Sequence, residues 1–158
     1  MVLAPPATVV IVEGTIRSTE TTATPEMVFS VACELESYPE WATGVVEVEV
    51  LESDDDGLPK RARFVVDGFI KRISYELEYE YQRPSLISWK AIPGEDIKDM
   101  EGSYQFTETE VGTSISYALR VAPNFTVPGF LRRQAEKQIV QAALRGLRRQ
   151  AEELSSGD

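Results

Sequence analysis

The sequence predicts an α+β fold in which a curved, antiparallel sheet of seven strands wraps around one long C-terminal helix, with two short helices between strands one and two. Two observations carry this reading. From Pro128 to Leu154, apolar residues recur at Leu131, Ala135, Ile139, Ala143, Leu147, Ala151 and Leu154, flanked by Val140 and Leu144. That spacing is one broad helical stripe. Between Gly44 and Pro123 the pattern is instead alternation, in six segments joined by connections of hairpin length, which makes an antiparallel meander. No other segment reads as a long helix, so the sheet is the surface on which the stripe must lie.

Strand one is placed at Val9 to Ile16, a β-rich run that ends at the polar Ser18-Thr19-Glu20-Thr21-Thr22. Thr24 then suits an N-cap, Pro25 the first helical position and Glu26 the positive end of a helix dipole. Met27, Val28 and Val31 give this helix its buried side, and it ends near Cys33. A second helical turn is expected at Ser37 to Trp41. Val46, Val48 and Val50 alternate with Glu47 and Glu49 as the second strand. Asp54-Asp55-Asp56-Gly57 reads as a turn; EF-hand spacing is missing, and no metal or other cofactor is expected. Strand three runs from Arg61 to Val66. In strand four, Ile73, Tyr75, Leu77, Tyr79 and Tyr81 face one way and Ser74, Glu76, Glu78 and Glu80 the other. Strand five is Leu86 to Ile92 with Trp89 inside it. Met100, Gly102, Tyr104 and Phe106 share a face of strand six, as do Ile115, Tyr117, Leu119 and Val121 in strand seven. Pro128 opens the long helix, where a missing N–H is harmless.

At 158 residues with 42% hydrophobic content, the chain is expected to form one domain with its own core, about residues 9 to 154. No apolar run is long enough to span a bilayer. The opening residues lack a basic region and a long apolar stretch, so no secretory signal is read. A single cysteine fits a reducing cytoplasm. The net charge of −10 argues against sequence-independent nucleic-acid binding. The Pro128–Leu154 segment, however, carries six basic residues against three acidic ones, +3 against −13 for the remainder. Its basic face is either solvated and internally paired or a docking face for an acidic partner, a membrane surface or a second copy in a homodimer.

With no histidine in the chain, catalytic triads built on one and histidine metal sites are excluded. The remaining chemistry is thin. Glu13, Arg63, Lys90 and Arg120 lie in predicted strands; a buried carboxylate could act as a general base with a tyrosine as acid, whereas side chains on the solvent face would do nothing. Cys33 reads as a small buried residue. No catalytic residue is assigned. The aromatic inner face is more informative. Small residues on the helix stripe (Ala135, Ala143, Ala151) and Gly146 leave space between helix and sheet, as a small-molecule pocket requires. Tyr75, Tyr79, Trp89 and Tyr104 are its candidate lining, with Leu77 and Phe106 on the same face; the alternative for each is core packing. Phe125, Phe130 and Leu131, around the helix start, are candidates for its entrance. Trp41 reads as packing the short helix onto the sheet.

These segments together resemble the SRPBCC superfamily, the helix-grip fold of START domains and the major birch pollen allergen. Within it they are most similar to the bacterial polyketide cyclase/dehydrase and coenzyme-Q-binding-like group. The resemblance rests on Thr24-Pro25-Glu26-Met27-Val28-Phe29, Tyr38-Pro39-Glu40-Trp41, Val45 to Leu51 with its acidic turn, Gly102-Ser103-Tyr104, Gly112-Thr113-Ser114-Ile115-Ser116-Tyr117, and Leu144-Arg145-Gly146-Leu147-Arg148. It spans about Val9 to Glu153 and implies a cavity between sheet and C-terminal helix that holds a hydrophobic molecule such as a lipid, quinone or polyketide. Members carry such a ligand or act on it as cyclases, aromatases or dehydratases. The matching motifs are scaffold motifs, so they transfer no catalytic residue.

Overall fold

The computed structural model describes residues 14–68 and 71–156. Seven strands form one sheet in the order β1-β7-β6-β5-β4-β3-β2: β1 Thr15–Thr21, β2 Val45–Ser53, β3 Pro59–Asp67, β4 Arg72–Gln82, β5 Leu86–Ile92, β6 Ile97–Glu108 and β7 Thr113–Pro123. Every neighbouring pair is antiparallel. After β1 the chain passes through α1 (Pro25–Cys33), a 3-10 turn (Leu35–Ser37) and α2 (Tyr38–Trp41), and enters the sheet at its far edge. Five hairpins then bring it back until β7 lies beside β1. The chain ends in α3, Gly129–Ser156, which packs along β1 and β7 and against α1 and α2.

Local chemistry explains α1. The Thr24 hydroxyl accepts the Met27 N–H at 3.2 Å, Pro25 opens the helix, and Val28, Phe29, Val31, Ala32 and Cys33 are buried. One expected boundary was misplaced. The first described strand is Thr15–Thr21, not Val9 to Ile16; Val9 to Glu13 lies outside the described residues. The strand occupies the polar run taken for its end because β7 determines its pairing, Thr15 opposite Leu119 through Thr21 opposite Thr113. Threonines suit an extended backbone, and of this strand only Thr15 and Thr21 are buried. Thr21 meets its polar needs there: its hydroxyl donates to Glu152 of α3 at 2.8 Å and accepts from the Ala23 N–H at 3.2 Å.

Two further expectations change. Val46 does not share a buried face with Val48. The β2–β3 register slips between Val45 and Glu47; this bulge turns Val46 outward, 38% exposed, while Val48 is buried. On α3 the buried row is Glu136, Val140, Leu144, Leu147 and Ala151, whereas Ile139 and Leu154 of the expected stripe are about half exposed, at 47% and 46%. The stripe is rotated because the helix seats its second half on α1, α2 and β1. Gly146 makes that seat possible: a Cβ there would lie 2.6 Å from the Trp41 carbonyl oxygen.

Candidate functional site

Alternation along the strands puts one side chain in two on the concave face. On β3 and β4 these include Phe64, Val66, Ile73, Tyr75, Leu77 and Tyr79; on β5, Trp89; on β6, Met100 and Tyr104; on β7, Tyr117, Leu119 and Val121. Together with α2 and the first half of α3 they enclose a cavity of about 650 Å³, within the range of roughly 300–1,000 Å³ usual for ligand sites. Its wall is a chain of rings. Tyr79 and Trp89 have centroids 5.9 Å apart, Trp89 and Tyr104 5.5 Å, Trp89 and Tyr117 5.6 Å, and Tyr104 and Tyr117 4.6 Å. Phe64 stacks on Tyr75 at 5.5 Å. The indole of Trp89 lies flat on β6 because its cross-strand partner is Gly102, where a Cβ would come within 2.5 Å of the ring.

The cavity is apolar with polar points. The Tyr38 hydroxyl donates to the Ala32 carbonyl, which anchors that ring. No bond to a described residue is made by the hydroxyls of Tyr75, Tyr79, Tyr104 or Tyr117, and none of these oxygens is sealed away unpartnered. They open onto the cavity instead. Burial raises the pKa of all four phenols well above the usual tyrosine value, so they remain neutral and can donate to a ligand. On the α3 wall, Glu136 is only 3% exposed and accepts the Val121 N–H at 2.8 Å. Burial raises its pKa, opposed by that hydrogen bond and by the charge of Arg132 one turn earlier. Arg132 also lines the cavity, and its Nε is buried without a hydrogen-bond partner among the described residues. Exposed residues of the rim include Thr43, Gly44 and Asp67 on the sheet side and Gln138, Gln141 and Arg145 on α3.

Of the residues picked from sequence, Tyr75, Leu77, Tyr79, Trp89, Tyr104 and Leu131 line this cavity. Phe106 does not; it is buried at the closed end, edge-on to Phe29 with centroids 6.4 Å apart. Phe130 is 66% exposed and does not reach the cavity, whereas Phe125 does. Trp41 both packs α2 and lines the wall. Arg63 and Arg120 lie on the outer face and pair with Glu47 and Glu49, and with Asp99 and Glu101. Lys90 is exposed, and Glu13 lies outside the described residues. Cys33 is buried, and burial pushes its thiol up to about 12, which leaves it inert as a nucleophile. Tyr117 was missed although it shares the parity of Ile115, Leu119 and Val121. Arg132 and Glu136 are not among the sequence candidates: they precede Val140 in the same helical row, two turns and one turn ahead, on a charged face that the sequence assigns to solvent or to a docking partner.

A family model described as polyketide cyclase / dehydrase and lipid transport matches residues 13–152. The chain belongs to that family. No curated protein matches it in sequence. Among solved structures, a START superfamily protein from Mycobacterium smegmatis is 19% identical with a TM-score of 0.81, over 89% of this chain and 97% of that one. The Zhui aromatase/cyclase from Streptomyces sp. R1128 is 14% identical, TM-score 0.72, over 89% and 93%. A STAR-related lipid transfer protein from Xanthomonas axonopodis is 17% identical, TM-score 0.67, over 85% and 83%. At these identities the likeness is one of fold. Among the described residues no helix is long and apolar enough to cross a membrane.

Proposed function

We propose that this member of the family binds a hydrophobic small molecule in the cavity between the sheet and α3, as a carrier or sequestering protein. The single observation that supports this most directly is the roughly 650 Å³ cavity, walled by rings from five consecutive strands, β3 to β7. A space this size lined with aromatic side chains loses dispersion contacts when empty, and a hydrophobic ligand restores them. The free tyrosine hydroxyls supply orienting hydrogen bonds, a few polar groups in an apolar wall. The aromatase/cyclase and lipid-transfer proteins that share the fold support a polycyclic or lipid-like ligand.

Glu136 favours a second reading, a cyclase, aromatase or dehydratase that uses an acid–base pair in the same cavity. A buried carboxylate with a raised pKa suits a general base, and a neutral tyrosine suits an acid. Binding is preferred because the Glu136 carboxylate is already engaged by the Val121 N–H and because no described tyrosine hydroxyl bonds to it.

The test is mass spectrometry of the organic extract of gently purified protein beside a mock purification, followed by titration of the emptied protein with a neutral fluorescent apolar probe. A specific hydrophobic compound enriched with the protein, displacing the probe and recovered unchanged, is the expected result. Recovery of a converted product moves the assignment to the enzyme. No enriched compound together with no probe binding sinks both.

A further inference from the structure

The cations of this acidic chain are unevenly satisfied. On the strands, Arg61, Arg63, Arg72 and Arg120 each sit within 4 Å of a carboxylate. On the second half of α3, Arg148 and Arg149 pair with Glu152 and Glu153. The two arginines of α3 that line the cavity, Arg132 and Arg145, have no such partner among the described residues. Arg145 is exposed at the rim, where water solvates it. Arg132 is different: it lines the cavity, its Nη groups make no bond to a described residue and are not sealed off, and its Nε–H is buried with no partner among the described residues. A guanidinium held in a largely apolar wall without an acceptor is poorly satisfied, and its Nη edge, which the cavity reaches, is where a ligand's acceptor would meet it. Glu136, one turn on, does not fill the role. No ion pair joins the two, and Oε2 of Glu136 is turned to the Val121 N–H at 2.8 Å.

We propose that Arg132 is the head-group anchor of the cavity and that the ligand is an amphipathic carboxylate, its apolar body against Tyr75, Tyr79, Trp89 and Tyr117 and its carboxylate on the guanidinium. The inference rests on the binding function proposed above and names the chemical class of the ligand. Guanidinium and carboxylate match as planar, two-pronged partners. A monoanion fits better than a phosphate dianion because Glu136 places a competing negative charge one helical turn away. Arg145 at the rim adds attraction on approach but no directed contact.

The experiment measures displacement of a neutral apolar fluorophore by dodecanoate, dodecanol and dodecyl phosphate, at a pH where the fatty acid is ionised. Wild-type protein is expected to bind dodecanoate at least about tenfold more tightly than dodecanol, as one charge-assisted hydrogen bond implies. Arg132→Gln, checked by circular dichroism for retention of fold, is expected to bring that ratio close to one. Arg132→Lys keeps charge without the fork and falls between. Arg133→Gln, on the exposed side of the helix, leaves the ratio intact, and Glu136→Gln raises it by removing the competing charge. Equal affinity for acid and alcohol in the wild type, or a ratio that survives Arg132→Gln, overturns the anchor. Tighter binding of dodecyl phosphate than of dodecanoate overturns the carboxylate class. If the alcohol binds and the acid gains nothing, cavity binding stands and only the anchor falls; if none of the three displaces the probe, the binding function itself fails for this ligand class.

Discussion

The two halves of α3 lie along the same sheet and end in opposite states. From Val140 onward the inner row of the helix is clamped, although Gln141 and Arg145 beside it still reach the cavity rim. Val140, Leu144, Leu147 and Ala151 are buried, Gly146 touches the α2 backbone, and Phe29 of α1 fills the space beneath with rings from Tyr81 and Phe106. Before Val140 the helix bridges open space: Leu131 and Ala135 are only half-buried and Ile139 is about half exposed, although all three line the cavity. Both halves carry apolar residues at helical spacing. The difference is what stands opposite. The short helices between β1 and β2 fill one end of the sheet's concavity and stop, and the large rings at the other end stand off from small side chains on α3. Closure is therefore a local property of the two short helices, and the cavity is what they leave unfilled.

The sharpest way to break this comparison is to truncate one apolar side chain at each end. Phe29→Ala removes a fully buried ring from the closed end and is expected to destabilise by about 3–5 kcal/mol, lowering Tm by roughly 10 °C for a domain of this size. Leu131→Ala removes a side chain already bordering open space and is expected to cost under about 1 kcal/mol, because no new enclosed cavity forms. Thermal unfolding of the two variants decides it. Similar losses would mean that the cavity end is as tightly packed as the other.

A smaller effect sharpens the same contrast from inside the cavity. Gly102→Ala places a methyl group where the Trp89 indole lies. The ring must give way, and because it lines the cavity it can rise into that space, so the stability loss is expected to stay within about 1–3 kcal/mol. Affinity for an apolar probe falls while the fold persists. Titration with the probe and a far-ultraviolet spectrum check both parts; unchanged probe affinity would place the binding site elsewhere.

How much of this was legible in the letters differs between the two ends. Strand parity put Tyr75, Leu77, Tyr79, Trp89 and Tyr104 on one concave face, because a period of two admits one inner set once the core side is known. It could not separate Phe106 from Tyr104, which have the same parity two residues apart; the helix α1 stands over one and not the other, a tertiary fact. The end of β1, expected at Ile16 and found at Thr21, escaped for the same kind of reason, since its partner β7, more than ninety residues later in sequence, selects the paired segment. Helix rotation was the subtlest miss. The stripes through Ala135 and Glu136 differ by one residue, and the closeness of Gly146 to Trp41 chose between them. That choice carried Arg132 and Glu136 from the presumed solvent side to the cavity wall.

The carboxylates at the two ends of α3 extend the comparison to pH. Glu152 holds the closed end: it accepts the Thr21 hydroxyl at 2.8 Å and pairs with Arg148 at 3.2 Å, and that hydroxyl, first, and Arg148 hold its pKa below the usual glutamate value. A carboxyl lowered on folding stabilises fully above its ordinary pKa and loses that contribution as pH falls through the folded value. Thr21→Val is therefore expected to destabilise by about 1–2 kcal/mol at neutral pH, and the difference from wild type narrows on acidification. Glu136 has the opposite sign. Burial raises its pKa, so its charge opposes folding at neutral pH and the penalty fades as pH falls towards the ordinary glutamate value of about 4.3. Glu136→Gln keeps an acceptor for the Val121 N–H and is expected to raise Tm slightly at pH 7, the gain disappearing near pH 4. Unfolding curves of both variants between pH 4 and 8 should converge on wild type from opposite sides. Convergence from the same side would mean that Glu136 is held by its neighbours as firmly as Glu152, and that the cavity end of α3 is no less satisfied than the closed one.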